Sequence, residues 1–187
     1  MRVLLYFAVA MLSAQASAGF VELGVSANYR RSGYSKNNFI ETTSYTGSMA
    51  YYFWESCALE LNYTTGYSKQ VTQGITVGDP VTKVEDNIDL TAMDLVLSPS
   101  TRQDPFRPFI KVGAGYLVKQ RYRQIDAGDK EKLFEQRGMV PSGGLGVAIN
   151  FTKELALKFG VDAWTSPLSI QPVIVDYAGR AGISFMF

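Results

Sequence analysis

The chain has 187 residues, with 18 Lys and Arg against 17 Asp and Glu, no His, one Cys, 17 Gly, 11 Tyr and 11 Phe. That length suits one domain, a net charge of +1 offers no basic stripe for nucleic acid, and a single Cys allows no internal disulfide. Without His, the Ser-His-Asp and Cys-His nucleophile systems, His-bound zinc and the usual neutral-pH proton shuttle are all ruled out.

Residues 1–18 read MRVLLYFAVAMLSAQASA and carry the marks of a cleaved secretory signal. Arg2 is the positive n-region, Val3 to Leu12 an apolar run, and Ala16-Ser17-Ala18 a small-x-small cleavage site. The run is about half of the roughly 20 residues that a bilayer-spanning helix needs, which favours secretion over an anchor. The remainder from Gly19 is formally neutral, holds no apolar stretch long enough for a helical span, and offers no Cys next to the cleavage site for lipid attachment.

From Gly19 onward the chain alternates with period two, the mark of strands with one apolar face. Val21, Leu23, Val25, Ala27 and Tyr29 oppose Glu22, Gly24, Ser26, Asn28 and Arg30. Strands are predicted next over 43–53 and 58–64. The stretch 87–97 changes phase between Ile88 and Leu90 on one side and Met93, Leu95 and Leu97 on the other, which predicts a bulge near Thr91 and Ala92. Residues 109–118 and 141–151 follow, then Leu155, Leu157, Phe159, Val161 and Ala163 opposing Lys158, Asp162 and Trp164. The last run, 173–187, ends on Ile183, Phe185 and Phe187.

The links between these eight predicted strands also alternate. Trp54-Glu55-Ser56 and Thr152-Lys153-Glu154 are tight, and the Pro-rich 98–107 is moderate. The other four, about 32–42, 67–86, 119–138 and 165–172, are longer and polar. An even strand count with short turns at one end and long loops at the other is the layout of an outer-membrane barrel with both termini in the periplasm. The non-apolar face is rich in Gly, Ala and Ser, which suits a narrow interior rather than a solvated exterior. Tyr45, Tyr51, Phe53, Tyr63, Tyr116, Phe151 and Tyr177 lie near strand ends on the apolar face, as girdle residues would. The expected fold is therefore all-β: a transmembrane, eight-stranded, antiparallel, up-and-down β-barrel. A soluble lipocalin-like binder, with its apolar face turned inward, is the weakest competing reading.

The final segment, Arg180-Ala181-Gly182-Ile183-Ser184-Phe185-Met186-Phe187, resembles the assembly signal of Gram-negative outer-membrane proteins, through Arg180, Gly182, Phe185 and Phe187. Arg107-Pro108-Phe109-Ile110-Lys111-Val112-Gly113-Ala114-Gly115-Tyr116 and Gly143-Gly144-Leu145-Gly146-Val147 resemble consecutive strands of the OmpA/OmpX-like small barrels. The glycine pairs lie within strands and open no helix, so they do not read as phosphate loops. The resemblance covers the whole layout from Gly19 but specific motifs only in the last strands, and no peptidoglycan-binding domain follows. It implies location in the outer membrane of a Gram-negative bacterium, insertion by the barrel assembly machinery, and an interior ion-pair network.

The inward charges Glu22, Glu60, Asp94, Lys111, Lys158, Asp162 and Arg180 are the one constellation with chemical potential. Charges in a narrow lumen must pair, so a closed network filling the core is expected. A narrow gated channel, in which Arg180 switches partners, is the alternative. No inward nucleophile has an activating base, so no enzyme activity, cofactor or metal is expected. Function should sit in the loops: Lys119, Arg121 and Arg123, with Tyr122 among them, could meet lipopolysaccharide phosphates, although acids follow in the same loop. The 67–86 stretch could extend strand edges for a surface ligand. Cys57 reads as structural and Trp164 as a rim or plug residue. The chain is expected to be monomeric, with outer-membrane lipid and lipopolysaccharide as its surroundings and no nucleic-acid partner.

Overall fold

A computed structural model describes residues 19–35, 38–73, 80–101, 103–126, 128–167 and 175–187; the predicted signal segment 1–18 lies outside them. Eight strands follow in order: β1 (Phe20–Ser35), β2 (Asn38–Trp54), β3 (Cys57–Gln73), β4 (Val81–Leu97), β5 (Phe106–Ile125), β6 (Glu131–Asn150), β7 (Leu155–Thr165) and β8 (Val175–Met186). Each pairs antiparallel with the next, and β1 pairs with β8, closing the barrel.

The direction of the side chains settles which barrel this is. Val25, Ile110 and Leu145 are 62, 59 and 63% exposed, whereas Glu22, Glu60 and Asp94 are 2% exposed. Apolar outside and ionic inside is the inverse of a soluble barrel and matches a lipid-facing wall. The girdle residues are placed accordingly, with Tyr45, Tyr63, Tyr116, Phe151 and Tyr177 all exposed on the outer face.

Two expectations about local structure are corrected. No bulge interrupts β4: its register with β3 runs unbroken from Cys57↔Leu97 to Gln73↔Val81, and with β5 from Leu97↔Ile110 to Thr82↔Ile125. Ile88 and Leu90 break the apolar-outside pattern because they point inward and pack around Trp164. The register shifts lie instead at Gly33/Ser35, Tyr52/Trp54 and Arg121/Tyr122.

The second correction concerns the long polar loops: strand extension is expected only of 67–86, where it occurs, but much of 119–138 is strand as well. β3 and β4 pair as far as Gln73↔Val81, and β5 and β6 as far as Arg123↔Glu131. Backbone pairing tolerates polar side chains on both faces once a hairpin has left the membrane, so polarity marked the exit from lipid rather than the end of the sheet. The β5–β6 turn begins at Asp126, whose φ of 49° is one that Asp tolerates better than most residues. Its carboxylate accepts a hydrogen bond from the Val81 amide at 2.7 Å. At the periplasmic end, the Thr152 hydroxyl accepts from the amides of Glu154 and Leu155, at 3.2 and 3.0 Å, and fixes the tight turn there.

Candidate functional site

Period two fills the lumen in layers. At the periplasmic floor Phe20 stacks on Tyr52 with ring centroids 4.2 Å apart. Ala50, Ala58, Val96 and Phe109 pack with Tyr52, while Ala148, Ala156 and Met186 form a second buried cluster that Phe20 also touches.

Above this floor lies an ion-pair layer. Lys111 donates to Glu60 at 3.0 Å and lies 3.0 Å from Asp162 and 3.7 Å from Asp94. Arg180 lies 3.0 Å from Asp162 and 3.9 Å from Glu60, and Lys158 lies 3.8 Å from Glu60. Lys158 also pairs with Glu22, which has Arg107 at 3.6 Å. The layer therefore contains four acids and four bases and is formally neutral. Neutral donors occupy further carboxylate oxygens: Tyr52 donates to Glu22 at 3.0 Å, Asn62 to Asp94 at 2.7 Å and Ser142 to Asp94 at 2.6 Å. Such satisfaction is what permits charges to sit away from water.

All seven lumen charges expected from sequence lie in this layer. Arg107 was missed because 98–107 reads as a Pro-rich connection. It is 3% exposed and donates to the Tyr52 hydroxyl at 2.8 Å and toward the Met186 sulfur at 3.1 Å. Extending the inward phase of Phe109 and Lys111 back by two residues would have found it.

Higher up, the wall divides by chemistry. Leu90, Ala92, Leu117, Val140 and Trp164 form a buried apolar cluster, with Trp164 only 7% exposed and deeper than a rim residue. Facing it, Ser26, Asn28, Ser44, Thr46 and Thr64 line a cavity of about 20 Å³, room for about one water. Above lies a larger cavity of about 230 Å³, lined among others by Arg30, Thr42, Ser68, Lys119 and Asp176.

The three cations expected to meet lipopolysaccharide are all paired. Lys119 lies on the inner face, 3.2 Å from Asp176, and Arg121 grips Asp86 through two bonds of 2.6 Å, which raises its pKa further. Arg123 pairs with Glu131 at 3.0 Å and is 42% exposed. Of the residues expected to carry an assembly signal, Arg180 and Gly182 face inward, whereas Phe185 and Phe187 face out and are 49 and 39% exposed. Cys57, opposite Trp54 and Leu97 at a periplasmic turn, is a free thiol. No group of His, Cys, Asp or Glu suited to a metal ion occurs among the described residues.

A closed eight-stranded wall with an apolar exterior and an ion-paired core defines a small outer-membrane β-barrel of the OmpA type. The chain belongs to the outer membrane protein beta-barrel domain family, whose model matches residues 3–166. It resembles the N-terminal barrel of Pseudomonas aeruginosa OprF at 15% identity, covering 91% of this chain and 98% of that one with a TM-score of 0.59. For Neisserial surface protein A the identity is 17%, the coverage 91 and 100%, and the TM-score 0.58. For the attachment invasion locus protein Ail of Yersinia pestis, solved with the heparin analogue sucrose octasulfate, they are 11%, 90 and 97%, and 0.51. No curated protein matches the sequence. The fold and the family place the chain in the bacterial outer membrane.

Proposed function

We propose that the protein is a non-conducting, non-enzymatic, monomeric barrel that contributes to outer-membrane structure and meets surface ligands through its extracellular hairpins. The observation that carries this reading is the neutral ion-pair layer, held between an apolar floor and an apolar cluster around Trp164. An eight-stranded barrel has an interior just wide enough for side chains to fill, and here they are locked to one another. The hairpins β3–β4 and β5–β6 project paired backbone and mixed charge beyond the apolar belt, which supports a role in surface contact. Of the three cations considered for lipopolysaccharide, Arg123 keeps the exposure for that contact, while Lys119 and Arg121 are committed to acids of the inner wall. The β8 residues Arg180, Gly182, Phe185 and Phe187 are assigned to recognition by the barrel assembly machinery.

The test is single-channel conductance of the refolded protein in a planar bilayer, with Arg180→Ala alongside. Both should be silent, because Glu22, Lys158 and Arg107 still block the lumen when Arg180 is removed. Discrete wild-type openings whose conductance changes in the variant would replace this reading with a gated channel.

A further inference from the structure

The wall is not equally closed all the way round. β1 and β8 join through seven residue pairs, from the mutual backbone bonds of Val21 and Phe187 to Ala27↔Ala181, whereas β7 and β8 join through eleven. Seven residues advance about 23 Å along a strand. At the usual tilt they rise about 17 Å, against an apolar band about 25 Å tall. Beyond Ala27, β1 pairs only with β2; between Val175 and Arg180, β8 pairs only with β7, among the described residues. The seam therefore stops within the outer leaflet, where a bare strand edge facing hydrocarbon is costly and calls for an occupant.

The larger cavity borders this seam. Asn28 and Arg30 of β1 and Asp176 and Tyr177 of β8 line it from opposite sides. Trp164 also lines it, with a buried indole Nε1 that has no hydrogen-bond partner among the described residues. Outside, Tyr29, Val175 and Tyr177 are 62, 58 and 62% exposed and flank the opening. Arg30 reaches across the seam, its guanidinium 5.9 Å from the Tyr177 ring centre, and forms no ion pair with a described residue. The nearby acids are already held, Asp176 by Lys119 and Asp86 by Arg121. Among the described residues, the mouth thus offers a cation without an ion pair beside apolar surface.

We propose that this seam is a lateral mouth in the barrel wall, through which the phosphomonoester head group of an anionic outer-leaflet lipid enters the cavity. Arg30 takes the phosphate oxygens, and the acyl chains lie against Tyr29, Val175 and Tyr177. The charge and the apolar flanks are both required: a soluble anion would use only the first, and a neutral lipid only the second.

Trp54→Phe leaves Trp164, at the cavity wall, as the sole tryptophan and thus as the reporter. In phosphatidylcholine nanodiscs, added phosphatidic acid should shift Trp164 emission saturably, and Arg30→Ala should raise the midpoint about tenfold, as loss of a charge-assisted hydrogen bond implies. A Tyr29→Cys/Gly179→Cys disulfide in a Cys57→Ser background would fasten the seam two positions beyond its last pair, Ala27↔Ala181; a Cβ at Gly179 meets nothing within 4 Å. That bridge should abolish the response, and reduction should restore it to the level of Tyr29→Cys alone. Inorganic phosphate added to phosphatidylcholine discs should leave the emission unchanged, and a full response to it would overturn the lipid as occupant. An absent response to phosphatidic acid, or one indifferent to Arg30→Ala and to the bridge, would overturn the mouth altogether.

Discussion

Lys111 is the hub of the ion-pair layer, and replacing it by Met tests whether that layer holds the barrel together. Its side chain is 3% exposed and lies 3.0 Å from Glu60, 3.0 Å from Asp162 and 3.7 Å from Asp94. Met matches its length without its charge, so packing is nearly kept while the layer goes from neutral to one excess negative charge. Removing one partner of a buried pair costs about 3–5 kcal/mol. Arg180 still reaches Asp162 at 3.0 Å and Lys158 still lies 3.8 Å from Glu60, so the lower end, about 3 kcal/mol, is expected here. The assay is urea unfolding from lipid bilayers, compared at equal slope. Lys111→Met/Glu60→Gln restores neutrality and should recover part of the loss, so the double variant should be more stable than the sum of the single effects. A Lys111→Met midpoint equal to wild type, or a double variant that simply adds the two losses, would refute the view that charge balance governs this core.

Three further outcomes follow from the same geometry. Gly182→Ala would bring a Cβ within 2.2 Å of the Val25 carbonyl and 2.6 Å of the Ser26 Cα, neither of which is a flexible tip. It should cost about 1–3 kcal/mol and lower the heat-modifiable, folded fraction on gels; a wild-type yield and urea midpoint would count against it. Trp164→Ala should destabilise by about 3–5 kcal/mol through the hole it leaves beside Leu90 and Leu117, yet stay silent in planar bilayers because the ionic layer beneath is intact. Burial at the extracellular rim pushes Glu85 up, but hydrogen bonds from Lys130 and Tyr67, with the charges of Lys130 and Lys69, outweigh it, so its carboxyl sits below the ordinary 4.5. A lowered carboxylate pKa stabilises fully above that ordinary value and is lost as pH falls through the folded one. Acidification from neutrality should therefore loosen the contact between Lys130 of the β5–β6 turn and Glu85 of β4, by less than about 1 kcal/mol because the Lys130 end of the pair is largely solvated. Hydrogen exchange there would show it, and protection that rises on acidification would contradict it.

Much of the wall was legible because a strand with one face in lipid must alternate, and that constraint is strongest where the membrane is. Val21 to Tyr29 and Leu155 to Ala163 show it cleanly, as does the run ending in Phe187. Outside the belt the constraint vanishes, so residues such as Gln70, Val84 and Gln120, paired in long hairpins, read as loop. Inside, period two assigns a side to each charge but no partner. It gave no sign that Lys111 rather than Arg180 touches three acids, since partner choice depends on the stagger between strands far apart in sequence. Ile88 and Leu90 misled for a related reason. The interior contains an apolar cluster as well as polar groups, and an inward Leu looks like a change of phase until Trp164 is seen against it.

The shortest seam of the wall is also the one between the chain's first and last strands, and the interior compensates for it. At its periplasmic end Val21 and Phe187 exchange two backbone hydrogen bonds of 2.9 Å. Inside, Glu22 of β1 is tied to Lys158 of β7 across β8, and Arg107 of β5 reaches both Glu22 and the Met186 sulfur of β8. Cross-lumen ties therefore fasten both sides of a seam that has few ladder bonds, and they lie in its lower part, below Ala27. Among the described residues the upper part has no such tie: Arg30 meets the Tyr177 ring across it, and Arg180, next to Gly179, turns down toward Asp162. Closure at the bottom and looseness at the top thus share one cause, the depth at which the lumen's charges are concentrated. A wall held shut by its contents opens first where those contents end.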